Sequence, residues 1–332
     1  MKKNNLRKTA RYLAAVFCLF VLSNASVLAL PAEYDFDGDG RTDPTIRRSE
    51  SNGSFFQHIW FTLRSRDGFS ATMWGRSDSN STDIPQIGDY DGDGKADIAV
   101  WRYEVQNSVT APAYWYVLQS SDNNYQAVQW GVTFDRQVPQ DYDGDGKTDF
   151  AVFRSGWWYI LNSRDGSVRA EKFGQDSDEP KRGDYDGDGK ADLTVRRGGF
   201  IYTLRSGDGK WQGFDFSNLL SGGFFTPGDY DGDGKTDYAF WSGQCEFGNG
   251  RWTIIRSSDN QYEQIRFGLP CTDDPVQGDY DGDGRTDIAV YRRGSPNNPP
   301  SYFYILRSRD GFQAIQWGGY RDAAPAERQS VN

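Results

Sequence analysis

Residues 89–101 read DYDGDGKADIAVW, and near copies of the first nine residues begin at Asp35, Asp141, Asp184, Asp229 and Asp279. The six starts lie 54, 52, 43, 45 and 50 residues apart, a period that belongs to stacked supersecondary units rather than to one irregular globule. Each period is about one propeller blade long.

Every copy has Asp at positions 1, 3, 5 and 9 and Gly at positions 4 and 6, where a tight loop needs backbone angles that glycine adopts cheaply. Four carboxylates in nine residues, relieved by one Lys or Arg, repel by several kcal/mol per close pair at an effective dielectric of about 20. Such a loop closes only around a cation. Oxygen ligands without His or Cys select a hard ion, and six to eight oxygens at ~2.3–2.6 Å suit Ca²⁺ better than Mg²⁺. The candidate ligands are Asp35, Asp37, Asp39 and Asp43; Asp89, Asp91, Asp93 and Asp97; Asp141, Asp143, Asp145 and Asp149; Asp184, Asp186, Asp188 and Asp192; Asp229, Asp231, Asp233 and Asp237; Asp279, Asp281, Asp283 and Asp287. Position 7 adds the backbone carbonyls of Arg41, Lys95, Lys147, Lys190, Lys235 and Arg285, for about six Ca²⁺ per chain. An EF-hand would need a Glu at position 12, where this chain has Ile46, Val100, Val152, Val195, Phe240 and Val290. A single DGDG is more often a solvated acidic turn, but six copies with the same four aspartates argue against that reading.

After each turn comes an apolar run such as Ile98-Ala99-Val100-Trp101, then a variable loop, then a second run such as Trp157-Trp158-Tyr159-Ile160-Leu161. Both read as strands. The second run leads into Asp67-Gly68, Asp122-Asn123, Asp165-Gly166, Asp208-Gly209, Asp259-Asn260 or Asp310-Gly311, pairs suited to a primed hairpin turn. A third run ends in an aromatic and Gly in five repeats (Trp74-Gly75, Trp130-Gly131, Phe173-Gly174, Phe267-Gly268, Trp317-Gly318). A Pro-containing link, read as a short inner strand, leads to the next turn. Four antiparallel strands per period without helical periodicity define an all-β β-propeller. Six blades are expected, with seven as the alternative. The ion turn and the Asp-Gly hairpin share one end of each blade; the variable loop and the link share the other.

Residues 1–29 read as a secretory signal peptide. Lys2, Lys3, Arg7, Lys8 and Arg11 precede an apolar run from Leu13 to Leu22, with cleavage after Ala25 or Ala29. That run is short of the ~18–20 residues a membrane span needs, so no membrane insertion is expected after cleavage and the product is secreted, periplasmic or at the cell surface. Residues 30–322 then form one domain, with repeats starting near 31, 85, 137, 180, 225 and 275. Residues 323–332 are a tail whose Pro325-Ala326-Glu327 echoes Pro31-Ala32-Glu33 and offers a ring-closing strand. Loss of the leader takes the formal charge from −10 to −15, and six Ca²⁺ (+12) bring it to −3. No basic footprint supports nucleic acid as a partner. Cys245 and Cys271, both in repeat five, are expected to form a disulfide in an exported chain.

From Asp35 to about Trp317 the chain resembles the FG-GAP or VCBS repeat family, the calcium-loop propellers typified by the integrin α-subunit head, through its DYDGDGKTDIAV-type segments. The resemblance implies Ca²⁺ in the first hairpin of each blade and a scaffold rather than a reaction. Three departures stand out: six visible turns against seven blades, Glu33-Tyr34 and Pro139-Gln140 in place of the usual Gly, and a repeat four without the aromatic-Gly ending.

Arg48, Arg102, Arg154, Arg197 and Arg292 stand five residues after the last ligand Asp, with Ser242 in repeat five. They form either a ring of guanidiniums able to grip an acidic sugar or a partner's carboxylate, or structural ties to Asp83, Asp135, Asp178 and Asp274. Trp60, Trp115, Trp157, Trp158 and Trp252 are sugar platforms or, since they recur in register, core. Loops 48–58, 102–113, 242–251 and 293–301 differ in length and content, and are where binding specificity is expected. His58 is the sole histidine, and no Gly-x-Ser-x-Gly is present. The expected role is therefore non-catalytic: adhesion or capture of a glycan or protein ligand. A polysaccharide lyase or glycosidase and an inert spacer are the alternatives.

Overall fold

The structure is a computed structural model that describes residues 33–79, 81–104, 110–217, 223–243, 248–298 and 300–324. Alternation decides the strands. Trp157–Leu161 runs exposed, buried, half-buried, buried, half-buried, and Trp158 and Ile160 turn to the interior, as period-2 patterning requires.

Blade one contributes β1 (Thr45–Ser51), β2 (Phe56–Arg64) and β3 (Gly68–Ser77). Blade two is β4 (Ser81–Pro85), β5 (Ile98–Glu104), β6 (Pro112–Leu118) and β7 (Tyr125–Val132). Blade three is β8 (Arg136–Gln137), β9 (Phe150–Arg154), β10 (Trp157–Leu161) and β11 (Val168–Lys172). Blade four is β12 (Glu179–Lys181), β13 (Leu193–Arg197), β14 (Phe200–Leu204) and β15 (Trp211–Asp215). Blade five is β16 (Phe224–Phe225), β17 (Tyr238–Ser242), β18 (Arg251–Ile255) and β19 (Tyr262–Arg266). Blade six is β20 (Asp273–Pro275), β21 (Ile288–Arg292), β22 (Pro300–Arg307) and β23 (Gly311–Gly319). Strands pair in chain order and antiparallel within each blade, making an all-β, six-bladed β-propeller. The described residues contain no helix. The first of the variable loops is shorter than the repeat predicts, because β1 runs on to Ser51 and β2 starts at Phe56, pairing Ser49 with His58.

Blade one takes its inner strand from both chain ends. Ala323, in the segment set apart as a tail, pairs with Arg47 through N–H···O bonds of 2.8 and 3.0 Å. At the other end, Asp43 N donates to Tyr34 O at 3.0 Å, as Asp97 N donates to Gly88 O at 2.7 Å in blade two. Closure thus begins at Asp322-Ala323. Residues 325–332, the signal segment and Cys245 lie outside the described residues.

The acidic turns meet in a closed ring. The position-8 N–H of each turn donates to the position-1 carbonyl of the turn before it: Ala96 to Asp35, Thr148 to Asp89, Ala191 to Asp141, Thr236 to Asp184, Thr286 to Asp229 and Thr42 to Asp279, all at 2.6–2.7 Å. Side chains at these contacts are matched in size. A Cβ on Gly88, Gly228 or Gly278 would lie 2.5–2.6 Å from the hydroxyl of Thr148, Thr286 or Thr42. Where the preceding residue is Tyr34 or Gln140 instead of Gly, the residue facing it is Ala96 or Ala191. The two departures from the repeat are therefore compensated by the next turn.

Between blades, aromatic side chains fill the sheet-to-sheet contacts, with Trp60, Trp115, Trp158 and Trp252 at most 1% exposed. Indoles cross the seams: Trp74 Nε1 donates to Tyr116 O, Trp130 to Tyr159 O, and Trp317 of blade six to Phe61 O of blade one, each at 3.2 Å. Trp157, by contrast, is 39% exposed.

Candidate metal centres

Each acidic turn is organised by its first aspartate. In turn two, Asp89 Oδ1 accepts from Gly92 N (2.6 Å) and Oδ2 from Gly94 N (2.9 Å), and turns three to six repeat this pattern. The glycines lie in the left-handed region, with φ of +82° and +81° at Gly92 and Gly94, so a side chain there would strain the loop. The position-9 carboxylate accepts two N–H groups, as Asp97 does from Tyr90 (2.8 Å) and Ser120 (2.7 Å).

Positions 1, 3 and 9 converge. Carboxylate oxygens of Asp89, Asp91 and Asp97 lie within 4.8 Å of one another, as do those of Asp141, Asp143 and Asp149, of Asp184, Asp186 and Asp192, and of Asp229, Asp231 and Asp237. In turn one the set is Asp35, Asp37 and Asp39. Two oxygens flanking one cation at ~2.4 Å are separated by no more than this. Position 5 closes an Asx turn through one of its two oxygens: Asp93 Oδ1 accepts from Lys95 N at 2.9 Å, and Asp145, Asp188, Asp233 and Asp283 do the same for Lys147, Lys190, Lys235 and Arg285.

Two features show what a cation would supply at these sites, where the nearest guanidiniums, Arg164 at Asp143 Oδ1 (3.7 Å) and Arg309 at Asp281 Oδ1 (3.9 Å), stand beyond hydrogen-bond distance. Oδ1 of Asp37, Asp143, Asp186 and Asp281 is buried and accepts no hydrogen bond. A buried, unmatched polar atom costs about 1–3 kcal/mol, and more when charged. Burial also pushes the position-9 carboxyls up, to about 6 for Asp97 and Asp287 and about 7 for Asp43, Asp192 and Asp237. A hard divalent cation answers both, and the oxygen-only donor set fits Ca²⁺.

Six serines not singled out from the motif complete the turns. Ser65, Ser120, Ser163, Ser206, Ser257 and Ser308 donate backbone N–H to the position-9 carboxylate at 2.6–2.7 Å. Their hydroxyls donate to the position-5 carboxylate at 2.7–3.0 Å. Their sequence signal is a Ser two residues before every hairpin Asp.

At the opposite end of the blades each candidate arginine forms a two-pronged bond to a buried inner-strand Asp. The pairs are Arg102–Asp83 (2.5 and 2.7 Å), Arg154–Asp135 (2.6 and 2.7 Å), Arg197–Asp178 (2.6 and 2.6 Å), Arg292–Asp273 (2.6 and 2.9 Å) and Arg48–Asp322 (2.6 and 3.0 Å). Asp273, not Asp274, is the partner in blade six, and Asp322 supplies a fifth tie that the repeat spacing does not point to. The same Asp accepts the N–H following each aromatic-Gly pair, as Asp83 does from Arg76 at 2.6 Å. Each guanidinium also stacks on a ring, Arg102 lying 4.5 Å from the Tyr116 centroid. Aromatic-Gly, Asp and Arg are absent together at the seam between blades four and five, where Phe216, Phe225 and Phe240 pack instead.

His58 is buried, with Arg47 Nη1 3.1 Å from its Nδ1 and Ser77 Oγ 2.9 Å from its Nε2. Because guanidinium can only donate, Nδ1 is the acceptor and Nε2–H points to Ser77. Burial and Arg47 push this imidazole down to about 4. It is therefore not set to take a proton from Ser77.

No family model and no curated protein matches the chain. Among solved structures it is similar to AofleA from Arthrobotrys oligospora, with 8% identity, 83% of this chain and 87% of that one covered, and a TM-score of 0.50. It is also similar to a protein from Lactobacillus plantarum (12% identity, 83% of each chain, TM-score 0.46) and to the exotype rhamnogalacturonan lyase YesX (12% identity, 84% and 69%, TM-score 0.33). The likeness to AofleA concerns the fold alone.

Proposed function

We propose that this chain is an exported, calcium-binding β-propeller of the FG-GAP/VCBS type that acts as a non-catalytic module for binding a glycan or protein. The observation that carries the metal part is the buried position-3 oxygen that accepts no hydrogen bond in four of the turns. Ca²⁺ would be held by the carboxylates at positions 1, 3, 5 and 9 with the position-7 carbonyl, and would supply the positive charge that lets the turns pack into their hydrogen-bonded ring. At ~1 mM Ca²⁺ and a module Kd near 10⁻⁴ M, each site adds roughly 1.4 kcal/mol to folding, or ~8 kcal/mol for six, comparable to a whole domain's stability.

The non-catalytic part is supported by the arginine ring, whose forks are taken up by internal carboxylates, and by the tautomer of His58. Secretion rests on the basic and apolar leader. The test is a glycan and protein binding screen of the Ca²⁺-loaded protein, run beside assays for lyase and reducing-sugar release. Binding without turnover is expected, whereas product release from a polysaccharide would refute the reading.

A further inference from the structure

A cavity of about 190 Å³ is lined by the inner strands of blades four, five and six and by the start of blade one. We propose that this cavity binds a single neutral sugar ring, such as the terminal unit of a glycan; this rests on the ligand-binding reading above. Its apolar wall comes from Phe224, Phe225, Pro227, Pro275 and Val276, with Phe224 46% exposed. This suits the C–H face of a pyranose, which aromatic and aliphatic groups cover.

The facing wall is polar and internally neutralised. Glu179 Oε2 lies 3.3 Å from Lys181 Nζ and 3.8 Å from Arg196 Nη1, presenting paired donors and acceptors of the kind adjacent hydroxyls match. Lining acids (Glu33, Asp43, Glu179, Asp274) and bases (Lys181, Arg182, Arg196) nearly balance, so the cavity offers little net attraction to an ion. Thr226, also in the lining, is 1% exposed, and its Oγ1 has no hydrogen-bond partner. A buried hydroxyl left unmatched carries a desolvation cost that a ligand hydroxyl would relieve. Three of the five wall residues, Phe224, Phe225 and Pro227, belong to blade five, the blade that lacks the Asp–Arg tie kept elsewhere, and breaks in a repeat are where function is expected.

The test is saturation-transfer NMR and calorimetry on the Ca²⁺-loaded full chain with glucose, galactose, mannose, N-acetylglucosamine, L-fucose and L-rhamnose. At least one should bind saturably. Thr226→Val, which removes only an unmatched hydroxyl, should weaken it about tenfold with a melting temperature no lower than the wild type's, and Phe224→Ala should weaken it further. Absence of saturable binding by any of the six, or binding untouched by both variants, overturns the inference. If the melting temperature still falls in EDTA while no sugar binds, the cavity assignment fails and the calcium propeller stands. If sugar binds and EDTA changes nothing, the metal reading fails instead.

Discussion

Replacing Gly88 by Ala tests the ring of turns with a single methyl. The new Cβ would lie 2.6 Å from Thr148 Oγ1, 3.0 Å from its Cγ2 and 3.1 Å from its Cβ, all inside ordinary contact distance. Thr148 cannot retreat freely, because its N–H is bound to Asp89 O at 2.6 Å. Overpacking of this kind costs typically 1–3 kcal/mol, and Gly88 is outside the left-handed region, so backbone strain adds nothing. With an unfolding entropy of about 2.1 cal/mol/K per residue over roughly 290 residues, 2 kcal/mol lowers the melting temperature by about 3 °C. Adding Thr148→Ala should recover most of that, since the double variant reproduces the Gln140–Ala191 and Tyr34–Ala96 arrangements found elsewhere in the ring. Calorimetric melting of the wild type, both single variants and the double variant in saturating Ca²⁺ gives the coupling energy. A neutral Gly88→Ala, or a double variant no more stable than Gly88→Ala, would refute the size-matching argument.

Arg102→Ala should cost about 2–3 kcal/mol, because it leaves the buried Asp83 carboxylate without its guanidinium; urea unfolding measures this, and a loss under about 0.5 kcal/mol would favour a free ligand-gripping role. The position-9 carboxyls, raised by burial to about 6–7, stabilise the metal-free fold only while protonated. That contribution is complete below about pH 4 and is lost as pH rises through 6–7, so in EDTA the protein should melt higher at pH 5 than at pH 7.5, whereas Ca²⁺-saturated protein should not. Cys245 and Cys271 are expected to resist alkylation until reduced, as mass spectrometry of the exported chain would show; immediate labelling of both would exclude the bridge.

The acidic turns and the strand rhythm were legible in the residues because their interactions are local: nine residues carry the candidate ligands, and alternation within five residues reports a buried face. What was not legible is long-range. The fit of Thr148 against Gly88, the closure through Asp322 and Ala323, and the serine that ties each hairpin to its turn join segments 14 to 276 residues apart. The slip from Asp273 to Asp274 has a simple cause, since adjacent strand residues point to opposite faces and both are acidic. At the seam between blades four and five, the missing aromatic-Gly ending and Ser242 in place of Arg read as unrelated until the structure shows that they belong, with an Asp also missing there, to one tie.

Calorimetric titration of the metal-stripped protein with Ca²⁺, checked by elemental analysis of the reloaded chain, bears most directly on the cation in each turn. The account predicts about six Ca²⁺ per chain, with the melting temperature rising as they bind. A folded propeller that takes up no divalent ion would contradict it.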